Sequence, residues 1–147
     1  MSIENILDSV LEDLADRPSI TLFPNGAHKV IVAVEQDAAK QTVQLSLTYV
    51  EAIELADPQA VAPLPGDKNS VFFFLKNKKD GKVNEYAVGA IKEICASLKE
   101  GGVEGSKASD FLTELNGMEV VIVTKIRVGK GEYEGRDNLD IVKLAVV

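Results

Sequence analysis

Val71-Phe72-Phe73-Phe74-Leu75-Lys76-Asn77-Lys78-Lys79-Asp80-Gly81-Lys82 holds three of the chain's five phenylalanines, then four lysines against one acid. Alternation along an extended strand divides the run into two faces, Val71, Phe73 and Leu75 on one and Phe72, Phe74 and Lys76 on the other. The first set reads as a buried core row. The second places two phenyl rings beside a lysine, with Lys78, Lys79 and Lys82 just beyond. Two readings of Phe72 and Phe74 stand side by side. Consecutive phenylalanines are commonly buried on both faces, one against the sheet's interior and one against helices. Left outside, the two rings would form a flat apolar platform at the edge of positive charge.

The rest of the chain places this strand third in a series. Upstream, Asn25-Gly26 marks a turn, and the β-branched run His28 to Glu35 predicts a first strand. Val43, Leu45, Leu47 and Tyr49 alternate with Gln44, Ser46 and Thr48, which predicts a second strand with Tyr49 in its core row, running on with a bend to Leu55. Pro58, Pro63, Pro65 and Gly66 exclude regular structure over 56–66. The third strand then covers Ser70 to Lys76.

Downstream the period changes. Val83 to Lys99 puts Ala87, Ile91, Ile94, Cys95 and Leu98 on one helical face, with Gly101-Gly102 as the stop. A short second helix is expected from Ser109 as N-cap through Leu115 to Asn116-Gly117. Met118 to Val128 returns to strand character, with Lys125 and Arg127 late in the run. A loop over 129–138 carries Lys130, Tyr133 and Arg136, and Leu139 to Val147 predicts a last strand.

At the N-terminus, Ile3, Ile6, Leu7, Val10, Leu11 and Leu14 fall on one helical stripe, with Ser2 as N-cap and Pro18 as the stop. The outer face of this helix over 1–17 is acidic. It is expected to pack on its own domain or to serve as a docking or oligomerisation arm. The predicted fold is therefore β-rich α+β, a five-stranded OB-like Greek-key barrel over 18–147, with helices between strands 3 and 4 and the extra N-terminal amphipathic helix. A generic α+β sandwich fits the same order of elements.

Composition sets bounds. The 147 residues suit one domain, and 46% hydrophobic with 27% charged residues is ordinary for a globular protein. No stretch approaches the ~20 apolar residues of a membrane span, and the first residues lack the pattern of a secretory signal. The single cysteine, Cys95, fits a reducing compartment, so a cytoplasmic protein is expected. A net charge of −7 weighs against nonspecific affinity for nucleic acid or acidic membranes, although the lysines of 76–82 are hidden in that average.

Catalytic chemistry finds little to work with. One histidine and one cysteine make no convincing triad, and no cysteine or histidine cluster suits zinc. Gly101, Gly102 and Gly105 match neither a P-loop nor a dinucleotide fingerprint. No catalytic residue, metal or cofactor is expected, and His28 is expected to be structural or solvent-facing.

Pro24-Asn25-Gly26-Ala27-His28-Lys29-Val30, Leu115-Asn116-Gly117-Met118-Glu119-Val120-Val121-Ile122-Val123 and Tyr133-Glu134-Gly135-Arg136-Asp137-Asn138 resemble segments of the small phage-encoded OB-fold single-stranded-DNA-binding proteins. The resemblance spans 24–147 loosely. It implies noncatalytic, largely sequence-independent binding of single-stranded DNA in replication or recombination, in the host cytoplasm. Stacking would come from Phe72, Phe74 and Tyr133, and phosphate contacts from Lys76, Lys78, Lys79, Lys82, Lys125, Arg127, Lys130 and Arg136. A second copy of the chain or a replication or recombination protein would be the protein partner. The chain departs from the family in ending Leu144-Ala145-Val146-Val147, where such proteins carry an acidic tail. The alternative reading is a phage structural, assembly or protein-binding accessory protein acting through the acidic N-terminal helix and sheet edges. An oligosaccharide-binding OB domain is disfavoured by few aromatics and no tryptophan.

Overall fold

The computed structural model of the chain describes residues 22–77, 79–129, 131 and 137–147. The helix expected over 1–17 lies outside them. Five strands form one antiparallel sheet: β1 (Gly26–Asp37), β2 (Thr42–Leu55), β3 (Lys68–Phe74), β4 (Glu119–Arg127) and β5 (Asn138–Val146). Two helices, α1 (Glu85–Glu100) and α2 (Ala108–Leu115), lie between β3 and β4. The strand order across the sheet is β3-β2-β1-β4-β5.

Register explains the core. Val30, Val32 and Val34 of β1 oppose Tyr49, Leu47 and Leu45 of β2, and Leu45 and Val43 oppose Val71 and Phe73 of β3. On the other flank Val30 opposes Val120, and Ile122 opposes Leu144. One face of the sheet is thus apolar, and a slip of one residue in any pair would turn that face to water. Helix α1 covers it with Ala87, Ile91, Ile94 and Leu98, and α2 adds Phe111, Leu112 and Leu115. Burying each Leu, Ile or Phe contributes about 1.5–3 kcal/mol, which favours this packing over other registers. The link from α2 into β4 is stitched to β1: Val34 N–H donates to Asn116 Oδ1 at 2.9 Å, and Gly117 N–H donates to the Val32 carbonyl at 2.6 Å.

Several boundaries differ from the sequence expectation, among them β1, which runs Gly26–Asp37 rather than His28 to Glu35, and β3, which opens at Lys68 rather than Ser70; three others have a clear local reason. β3 ends at Phe74 rather than Lys76, because Leu75 N–H turns to the Gln41 carbonyl at 2.9 Å and Lys76 makes only an isolated bridge to Val83. α1 begins at Glu85 rather than Val83, because Asn84 is extended and its Oδ1 accepts the Ala87 N–H at 3.3 Å. α2 begins at Ala108 with Lys107 as its N-cap, not Ser109. There the Asp110 carboxylate reaches back to accept N–H bonds from Lys107 at 3.0 Å and Ser106 at 3.1 Å. Those bonds hold its carboxyl below the usual range.

The stop at Gly101-Gly102 is where the sequence places it, and the two glycines do different work. Gly102 takes a left-handed φ of +97° that ends the helix. At Gly101 a Cβ would collide with the Val146 side chain, so the end of α1 can lie directly on β5.

The sheet curls until Cα atoms of its edge strands β3 and β5, which run parallel to each other, come within 8 Å. No hydrogen-bonded ladder joins these two edges among the described residues, and α1 packs against both.

A polar group sits inside this apolar frame. His28 is fully buried, with Nδ1 2.9 Å from the Tyr49 hydroxyl and Nε2 2.7 Å from the Pro24 carbonyl. Carbonyl oxygens only accept, so Nε2 carries the proton and Nδ1 accepts from Tyr49. His28 is therefore structural. Burial pushes the imidazole below its usual 6.5 and outweighs the Pro24 carbonyl, which pulls the other way. The unfolded chain then binds the proton more readily than the folded one. Stability from this group is full above 6.5 and falls as pH drops below it toward the folded value. The melting temperature is expected to fall from pH 7 to pH 5.5, and H28Q should flatten that fall. An equal slope in both proteins would contradict the assignment.

Candidate nucleic-acid interface

β3 carries the aromatic run with its alternation intact. Val71 is buried and Phe73 half-buried against the core, whereas Phe72 and Phe74 are 53% and 46% exposed. The reading in which helices cover all three rings does not hold for these two. The reason lies in register. On β2 the residues opposite Phe72 and Phe74 are Gln44 and Thr42, and on β1 these face Glu35 and Asp37. The residues paired with the rings across the ladder are thus polar. The rings lie nearly parallel to each other, centroids 6.2 Å apart and planes 15° from parallel. Each ring, about half exposed, forgoes roughly half of the ~1.5–3 kcal/mol that full burial would contribute.

The rings border a cleft of about 620 Å³ between β3, the first turn of α1 and β5. Asn84, Tyr86, Arg127 and Asp140 also line it. Tyr86 is 93% exposed and was not among the residues expected from the sequence. The available signal was its position one residue before Ala87, off the apolar stripe of α1.

Of the cations expected at the site, Arg127 alone among the described residues lines the cleft. Its Nη2 stands 3.8 Å from Asp140 Oδ1. An exposed pair at that distance contributes about 0–1 kcal/mol, so the guanidinium can exchange the carboxylate for a phosphate at little cost. Lys76, Lys79 and Lys82 are exposed in the turn directly after β3, held by Gly81 N–H to the Asn77 carbonyl at 2.8 Å and Lys82 N–H to Asp80 Oδ1 at 2.9 Å. None of the three has a carboxylate partner within 4.0 Å among the described residues. Lys125 is exposed on β4, opposite Asp140 in register and away from the cleft lining. The expected groove lined by lysine and arginine is thus, over the described residues, an aromatic cleft with one arginine and a lysine turn at its margin. Lys78, Lys130, Tyr133 and Arg136 lie outside the described residues.

The remaining polar candidates have other roles. Tyr49 is core, as expected, and burial pushes its hydroxyl above the ordinary value. Cys95 is half-buried on α1, and burial likewise pushes its thiol up, away from the thiolate a nucleophile needs. No cluster of three His, Cys, Asp or Glu side chains able to hold a metal ion occurs among the described residues, and no helix among them is long and apolar enough to cross a membrane. No protein-family model matches this chain, and no curated protein matches it either.

Proposed function

We propose that this chain binds single-stranded DNA without catalysis, using Phe72 and Phe74 as stacking platforms beside an arginine and a turn of lysines. The observation that carries the reading is the exposed, near-parallel pair of phenyl rings at a cleft. Flat apolar rings next to cations suit a ligand that offers π-faces and phosphates together. Stacking on such rings contributes about 1–3 kcal/mol per base and tolerates any sequence. The fold supports the reading too. The order β3-β2-β1-β4-β5, with helices between β3 and β4 and the edges β3 and β5 drawn together, accords with an OB-like, partly open barrel, which binds strands across its β2–β3 face.

Lys76, Lys79, Lys82 and Arg127 supply the phosphate contacts. Four such contacts to a single strand predict a log–log salt slope of about −3. A titration of a thymidine oligonucleotide at low and moderate salt measures both affinity and slope. Absence of binding at low salt would overturn the proposal. It would leave the protein-binding alternative, which draws on β3 and β5 being sheet edges without a ladder between them.

A further inference from the structure

We infer that a bound strand runs on from the outward row of β3 across the gap to β5, not across β2 and β1, and that Tyr86 is the third ring it meets. The inference rests on the single-strand reading above. Binding on an OB-like barrel centres on β2 and β3, and the two directions away from β3 differ in what they offer a phosphate and a base.

Toward β1 the outward rows hold no aromatic ring. Beside β3, β2 presents Thr42, Gln44, Ser46 and Thr48 between its buried residues. Beyond it, β1 presents Lys29, Ile31, Ala33 and Glu35. The one ammonium group in these two rows is engaged, since Lys29 Nζ lies 3.7 Å from Glu51 Oε1 and 3.3 Å from Glu119 Oε1. Glu35, Glu51 and Glu119 outnumber it, and like charge repels a phosphate backbone.

Toward β5 the strand meets both chemistries. Past Phe72 and Phe74 the surface dips into the cleft of about 620 Å³, whose other walls are α1 and β5. That volume lies within the range that encloses a compact ligand. Tyr86 stands on the α1 wall, almost wholly exposed, and Arg127 lies across the cleft lining from it. A single side chain joins the helix wall to the ring wall. Asn84 Oδ1 accepts the Ala87 N–H at 3.3 Å, which starts α1, while Asn84 Nδ2 donates to the Phe74 carbonyl at 2.9 Å. Tyr86, between Asn84 and the buried Ala87, is thereby held beside β3 without packing in the core itself.

The test is equilibrium binding of a thymidine oligonucleotide to the full-length protein and three variants at one moderate salt concentration. Tyr86→Ala should weaken binding about fivefold or more, the loss of one stacked base. Tyr86→Phe keeps the ring and should stay within about twofold of the native protein. Ala33→Glu adds a carboxylate at an exposed position two strands from β3. At about 10 Å, or one Debye length, it should also stay within about twofold. Native affinity in Tyr86→Ala overturns the inference and leaves the Phe72–Phe74 platform standing. So does a loss in Ala33→Glu as large as that in Tyr86→Ala, which would put the strand across β1. Equal losses in Tyr86→Phe and Tyr86→Ala would assign the contact to the hydroxyl and overturn the stacking role. Absence of binding by the native protein refutes the single-strand reading itself, and this inference with it.

Discussion

Replacing Phe72 and Phe74 together with serine is expected to weaken binding of a thymidine oligonucleotide by at least about thirtyfold while the protein stays folded. The lower bound takes about 1 kcal/mol per stacked base for two rings. The fold should survive because each ring is about half exposed, at 53% and 46%, and stands opposite the polar Gln44 and Thr42 across the ladder. Exchanging phenylalanine for serine at such positions costs β-propensity, about 1 kcal/mol or less per site. Phe73→Ser provides the contrast. That ring packs against the core, so the variant should lose stability first and binding only as a consequence. Equal binding by the double variant would mean that the ligand does not stack here. Collapse of its fold would mean that the rings serve packing.

Phe23→Ala is expected to destabilise the protein by about 3–5 kcal/mol, the range for emptying a buried aromatic site. Phe23 lies just before β1 in a segment without regular structure, yet it is fully buried. Its ring meets Tyr49 edge-on at 5.0 Å and His28 at 6.0 Å. Its N–H donates to Asn69 Oδ1 at 2.8 Å, which ties the entering chain to β3. Loss of the ring would open a cavity beside the His28–Tyr49 hydrogen bond, where water would compete for both groups. Urea denaturation at pH 7 measures the change. A loss under about 1 kcal/mol would show that this end of the core collapses without cost.

The strands were legible because their chemistry is local. Alternation at Val43 to Tyr49 needs no partner to be read and stands where expected, whereas at Asn25-Gly26 the chain only bends at Asn25 and Gly26 already opens β1. The state of Phe72 and Phe74 was not legible. Three consecutive phenylalanines read equally as a strand buried on both faces, and the choice depended on which residues stand opposite. Register with Gln44 and Thr42 is a long-range property, set by the whole hydrophobic face of the sheet. Tyr86 was missed for a similar reason, since an exposed aromatic on a helix acquires meaning only when tertiary packing brings β3 and β5 beside it. The start of α2 was misplaced because the strongest cap is the side chain of Asp110, three residues inside the helix, rather than a residue at its first position. The lysines of 76–82 were readable as a solvated turn. That Lys125 stands away from the cleft lining was not, because tertiary packing decides it.

In the proposed complex the two exposed rings, and not the buried ones, meet the bases. Aromatic carbon NMR on phenylalanine-labelled protein reads all five rings separately while a thymidine oligonucleotide is added at low salt. Ring-current shifts that saturate with binding are expected at Phe72 and Phe74, with little change at the buried Phe23 and Phe111. Binding that leaves the Phe72 and Phe74 signals unmoved would contradict it.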